Sequence, residues 1–144
     1  MSDADDMTRQ LRSFYARINF IIRNFNACSL EVKQLLFNTF CTNMYCAHLW
    51  CGYKKSNLQR LMVAYNNCFR KLLYLPRSCS ASGMFASHCI PSFNELWRKG
   101  IFNFKKRLSS STNSLVHKVL SFVMFKSSLW THWYSILYVH APKW

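Results

Sequence analysis

Acidic side chains are nearly missing from this chain: 5 Asp and Glu stand against 19 Lys and Arg in 144 residues, a formal net charge of +14. Three of the acids, Asp3, Asp5 and Asp6, crowd the start, so from residue 7 onward the 19 basic residues face only Glu31 and Glu95. Such a chain repels itself unless an anion screens it, which makes nucleic acid or an anionic membrane surface its natural partner. Glycine and proline are scarce at 3 each and no run alternates apolar with polar residues, which argues against a strand-rich fold. No apolar run is long enough to span a bilayer, and the polar, acidic start has no signal-peptide core. Cys-x-x-Cys pairs are also absent; the 7 cysteines, an odd number, read as reduced thiols packing as small hydrophobes in an intracellular protein.

What is present is helical periodicity, predicting an all-α fold of five to six helices. From Met7 to Phe25, Leu11, Phe14, Tyr15, Ile18, Ile21, Ile22 and Phe25 share one face, with Arg9, Arg12 and Arg23 opposite and Arg17 near the far edge. Asp5 or Asp6 is placed to cap this helix. Ser29 with Glu31 predicts a second helix that runs on through Tyr45 to Trp50, apolar on most sides. The basic turn Cys51–Ser56 follows, and Ser56 with Gln59 reads as a capping box opening an amphipathic helix that reaches toward Pro76, with Arg60, Arg70 and Lys71 on its far side. A short helix is expected around Ala81–His88. Ser92 and Glu95 form another capping box, leading into a helix whose basic side carries Arg98, Lys99, Lys105, Lys106 and Phe102. Ser109–Ser114 is a polar linker, and the aromatic segment from Leu115 to Trp144 leaves three readings open: a packed helix, a membrane-surface segment, or sequence from outside an ancestral reading frame.

Catalytic chemistry finds little support. Asp3-Ala4-Asp5-Asp6 resembles a two-metal aspartate pair only in composition, because no apolar strand flanks it. Cys41, Cys46 and Cys51 are five apart, which turns successive thiols about 140° around a helix. Cys46 with His48, and His88 with Cys89, complete no tetrahedral set, so no metal or other cofactor is expected. Glu31 and Glu95 are explained as first-turn helix residues rather than as orienters of a Cys–His pair.

One run carries a resemblance. Val32-Lys33, Leu36-Phe37, Tyr45, Leu49-Trp50, Tyr53, Leu61, Ala64-Tyr65-Asn66, Arg70, Leu73 and Pro76-Arg77, then Ser80-Ala81-Ser82, Met84-Phe85 and Pro91, resemble the segment after the palm in non-LTR (LINE-type) retrotransposon reverse transcriptases. With Asp5-Asp6 and Arg9-Gln10-Leu11, the resemblance covers roughly residues 3 to 108, the family's thumb and connection. It implies a division into a thumb-like domain, 1–108, and a linker with an aromatic segment, 109–144. It further implies a non-catalytic piece of an RNA-directed DNA polymerase, truncated, without the metal-binding aspartate hairpin. The partner it implies is RNA or an RNA–DNA hybrid, with a missing palm or self-association as further partners.

A thumb follows backbone phosphates, which calls for cations on helix faces and a few aromatics. Arg9, Arg12, Arg23, Lys54, Lys55, Arg60, Arg70, Lys71, Arg98 and Lys99 are the candidate phosphate contacts, with Tyr53 and Phe102 for stacking. The competing expectation is a cationic amphipathic protein that sits on anionic membranes or self-associates through residues 115–144. A further expectation is that Phe37, Tyr45 or Trp50 faces a surface left without a partner.

Overall fold

A computed structural model describes residues 3–44, 46–123 and 127–138, so Tyr45 and the far ends of the C-terminal apolar runs lie outside the described residues. Every described regular element is helical: α1 (Asp3–Asn24), α2 (Leu30–Cys41), a 3₁₀ turn (Ala47–Gly52), α3 (Lys55–Leu72), α4 (Ala81–Ser87), α5 (Phe93–Ser109), α6 (Ser114–Val123) and α7 (Ser128–Tyr138). The fold is all-α, with seven α-helices where five to six were expected, because 115–144 supplies two helices. The chain forms two compact units, residues 1–45 with 53–96 and residues 46–52 with 97–144. They part inside α5, whereas the composition and the resemblance put a boundary after residue 108.

In the first unit α1 packs on α2 and α3. Met7, Phe14, Ile18 and Ile21 of α1 are buried, as the heptad-like spacing requires, and meet a cluster of rings from the other helices. Phe37 lies 4.7 Å from Phe69 and 5.4 Å from Tyr65, and Phe85 stacks on Tyr65 at 5.2 Å and on Phe69 at 5.1 Å. Offset and tilted pairs of this kind contribute about 0.5–1.5 kcal/mol each beyond their burial. The Tyr65 hydroxyl donates to the Pro91 carbonyl at 2.8 Å, which satisfies the one polar atom this ring carries inward. Phe37 is therefore interior, and Trp50 of the second unit is also buried, contrary to the expectation of an orphaned face.

The second helix differs most from its expectation. It ends at Cys41 rather than running through to Trp50, because Arg17 of α1 donates to the carbonyls of Phe40 (2.8 Å) and Asn43 (3.3 Å). A guanidinium at a helix C-terminus satisfies orphan carbonyls and complements the dipole. Nor is α2 buried on most sides: Phe37, Cys41 and, unexpectedly, Lys33 are inside, while Val32, Leu35 and Phe40 are exposed. Lys33, 8% exposed, sets its ammonium 5.2 Å from the centre of the Tyr74 ring.

Helix ends follow the sequence in part. Ser29 caps α2 through the Val32 N–H, and Ser92 and Glu95 close a reciprocal box, Glu95 accepting from the Ser92 N–H at 2.6 Å. The expected box at Ser56 does not form. There α3 starts at Lys55, with the Lys54 carbonyl taking the Asn57 and Leu58 N–H groups. Asp5 and Asp6 lie inside α1 rather than capping it. Two helices end in the same hydrogen-bond pattern, Leu75 N–H to Arg70 and Ile90 N–H to Phe85, each with a left-handed non-glycine residue, Tyr74 (φ 56°) and Cys89 (φ 52°).

In the second unit Ile101 and Trp133 form the centre, with Trp97, Phe104, Leu108, Leu129 and Ile136 packed against it. Two indole N–H groups hold the 3₁₀ turn: Trp97 donates to the Ala47 carbonyl and Trp133 to the His48 carbonyl, both at 2.9 Å. The His48 ring stacks on Phe104 at 3.9 Å, and burial, followed by the nearby Arg107, lowers its pKa. Of the three readings left open for the C-terminal segment, α7 adopts the packed helix through Trp133.

Candidate nucleic-acid interface

Helices α1 and α3 run parallel. Asp6 meets Tyr53, Leu11 and Tyr15 meet Arg60 to Ala64, Asn19 meets Lys71, and Asn26 meets Tyr74, so position rises together along both. Their seam is a groove in two stretches that share Tyr15. One is lined by Leu11, Gln59, Arg60, Val63 and Ala64, the other by Asn19, Asn67, Arg70, Lys71 and Arg77.

Spacing gives the two helices like stripes. Arg12, Tyr15, Asn19 and Arg23 are separated by three, four and four residues along α1, and Arg60, Val63, Asn67 and Lys71 by the same steps along α3. At 3.6 residues per turn each set forms one stripe, with a cation at both ends and uncharged residues between. From Arg60 to Lys71 the helix rises about 16 Å, close to five nucleotide steps of 3.4 Å. Among the described residues no acid lines the groove. Tyr15 is 45% exposed and Val63 likewise, so the middle offers a ring and an apolar wall between charged ends. Burial, with Cys68 next in effect, raises the Tyr15 hydroxyl pKa, so the group enters the groove as a neutral donor.

The buried thiols of this unit are inert. Burial pushes Cys41 up to about 11 and Cys68 up to about 12, so both stay protonated near neutrality and neither is a nucleophile. Among the described residues no three of His, Cys, Asp and Glu gather as a metal site.

The candidate residues sort into four kinds. Arg60 and Lys71 line the groove, and Arg12 and Arg23 stand on α1 outside its lining; all four are exposed, with Lys71 reaching Asn19 at 3.5 Å. Lys54 and Lys55 are exposed at the start of α3. Arg9, Arg70 and Tyr53 are engaged instead: Arg9 pairs with Asp6, Tyr53 donates to Asp6 at 3.1 Å, and Arg70 holds the Cys79 carbonyl twice, at 2.8 and 3.1 Å. Arg70 thus fastens the loop after α3 rather than lying on its far side. Arg98, Lys99 and Phe102 belong to the other unit, where Lys99 and Phe102 are exposed.

Tyr15, Asn19, Asn67 and Arg77 escaped the sequence reading. Tyr15 counts with the apolar arc of α1, yet at 100° per residue it is the arc's last member on the side of Arg12 and Asn19. That edge position was the available signal. Compared with protein-family models, with curated proteins and with solved structures, the chain matches none.

Proposed function

We propose that this chain is a non-catalytic, thumb-like module of a retroelement RNA-directed DNA polymerase that holds RNA or an RNA–DNA duplex by its phosphates. The observation that carries the binding reading is the α1–α3 groove, lined by Arg60, Arg70, Lys71 and Arg77 and, among the described residues, by no acid. Contacts of this kind release counterions and carry no base information, so binding is sequence-independent and strongly salt-dependent. The polymerase parentage rests on the order of residues from Val32 to Pro91 that resembles the family. No polymerase activity is expected of this chain by itself, since no aspartate hairpin flanked by strands is present in it.

The test is fluorescence anisotropy of the full chain with a short RNA–DNA hybrid across a salt series. Tight binding at low salt that falls steeply as salt rises is the expected result. The double substitution Arg60→Ala/Lys71→Ala should weaken binding at least about tenfold and flatten the salt slope by about two. A wild-type slope near zero would sink the reading.

A second reading rests on α6, where Leu115, Val119 and Phe122 are 67%, 59% and 81% exposed along one face. With Lys118 beside them they would suit an anionic membrane surface. No helix among the described residues is long and apolar enough to cross a membrane. Vesicle binding that disappears with Leu115→Ser/Phe122→Ser, while hybrid binding persists, would select it for that face.

A further inference from the structure

Helix α7 carries three rings spaced by four residues, Trp130, Tyr134 and Tyr138, with neighbouring centroids 5.9 and 5.1 Å apart. Lys105 of α5 lays its ammonium over all three, 4.7, 3.9 and 5.6 Å from their centres. Lysines commonly seek a carboxylate, but this compact unit holds eight of the chain's 19 Lys and Arg and none of its five acids. Ring faces, with their negative quadrupole, take the ammonium instead. Trp133 is the residue turned inward and Trp130 packs against its core, while Tyr134 and Tyr138 are 46% and 56% exposed.

We propose that this ladder is a stacking platform for the unpaired bases of a single-stranded nucleic acid, with Lys105 leaving the ring faces to meet a phosphate. Two requirements select the ligand. It must present flat π faces to the rings, and it must be anionic to approach a unit in which every fully charged side chain is a cation. A quaternary ammonium, the usual occupant of aromatic cages, meets only the first and would compete with Lys105. A duplex meets only the second, because its base faces are hidden. Ring centroids 5.9 and 5.1 Å apart leave less than the roughly 7 Å, two stacking steps, that a base needs to enter between rings, so bases lie across the exposed faces. Stacking of this kind tolerates any sequence, since every base has a face to offer. The platform rests on the reading that the partner is nucleic acid, but it lies in the other unit from the α1–α3 groove and takes a different form of it.

The experiment uses the full chain, wild type and Tyr134→Ala/Tyr138→Ala, with a labelled oligouridine, an abasic oligonucleotide of equal length and charge, and an RNA–DNA duplex. Wild type is expected to prefer oligouridine over the abasic strand by about tenfold, and the double alanine variant to lose that preference while its duplex affinity changes less than about twofold. Tyr134→Phe/Tyr138→Phe keeps the faces and should keep the preference. Equal wild-type binding of oligouridine and abasic strand overturns the platform, as does an equal loss on all three probes in the alanine variant. Phosphatidylserine vesicles bound through Tyr134 and Tyr138, with no base preference, overturn it in favour of a membrane contact. Base preference without duplex binding would sink the groove and leave the platform standing.

Discussion

The two compact units handle positive charge in opposite ways. The first holds all five acids and eleven of the 19 cations, and it anchors three of its arginines by hydrogen bonds: Arg9 to Asp6, Arg17 to the carbonyls of Phe40 and Asn43, Arg70 to Cys79. The second has no acid and all five tryptophans, and it settles Lys105 on aromatic faces and holds its 3₁₀ turn with indole N–H groups. In the first, a carboxylate and backbone carbonyls turn three arginines into structural fasteners, and the remaining cations are left for a ligand. In the second, which has no acid, ring faces hold Lys105 and indole N–H groups hold the 3₁₀ turn.

This division makes the tryptophans reporters of the second unit alone, which gives the comparison its sharpest tests. Phe37→Ala removes the ring at the centre of the first unit and should cost about 4 kcal/mol. Followed by helical circular dichroism and by tryptophan fluorescence in a denaturant titration, the loss should appear mainly in the former. Coincident shifts in both would show one cooperative structure and dissolve the comparison.

Trp133→Phe should show the reverse, a loss of about 2 kcal/mol seen mainly by fluorescence, because the His48 carbonyl loses its indole donor inside that core. Alkaline pH addresses the first unit again. Cys41 and Cys68 have native pKa values of about 11 and about 12, above those of exposed thiols, so the native state holds protons that the unfolded chain releases. Their contribution is complete below pH 8 and is lost as pH rises toward 11, on the order of 1 kcal/mol per thiol for each pH unit above nine. Thermal melts from pH 8 to 10.5 should therefore lose the circular-dichroism transition temperature faster than the fluorescence one, and Cys41→Ala/Cys68→Ala should narrow the gap.

The smallest effect is a gain. Cys89 is exposed and sits in the left-handed position at the end of α4, where glycine is unstrained, so Cys89→Gly should stabilise the first unit by about 1 kcal/mol. A lowered melting temperature would mean that the thiol makes a contact that outweighs the backbone strain.

Much of the fold was legible because it is written in local spacing. The buried face of α1, the Ser29 cap, the box at Ser92 and Glu95, and the all-helical class all follow from residues three or four apart. The end of α2 was not legible, since Leu49 and Trp50 continue an apolar pattern and only Arg17, 23 residues upstream of Phe40, terminates the helix. The same holds for the site. Arg12, Arg60 and Lys71 were readable as cations on polar faces, but that Arg9 and Tyr53 converge on Asp6 could not be read, because Tyr53 is 47 residues from its partner.

By itself, then, the sequence determined the helices, the charge excess and the faces on which cations stand, since helical geometry and formal charge depend only on neighbours. Tertiary structure alone decided which cations are held and which are free, which ring of α7 turns inward, and that α1 and α3 run side by side to form a groove. Those outcomes depend on hydrogen-bond and ring partners drawn from distant segments, up to 85 residues apart for Trp133 and His48, and no local pattern encodes such a choice.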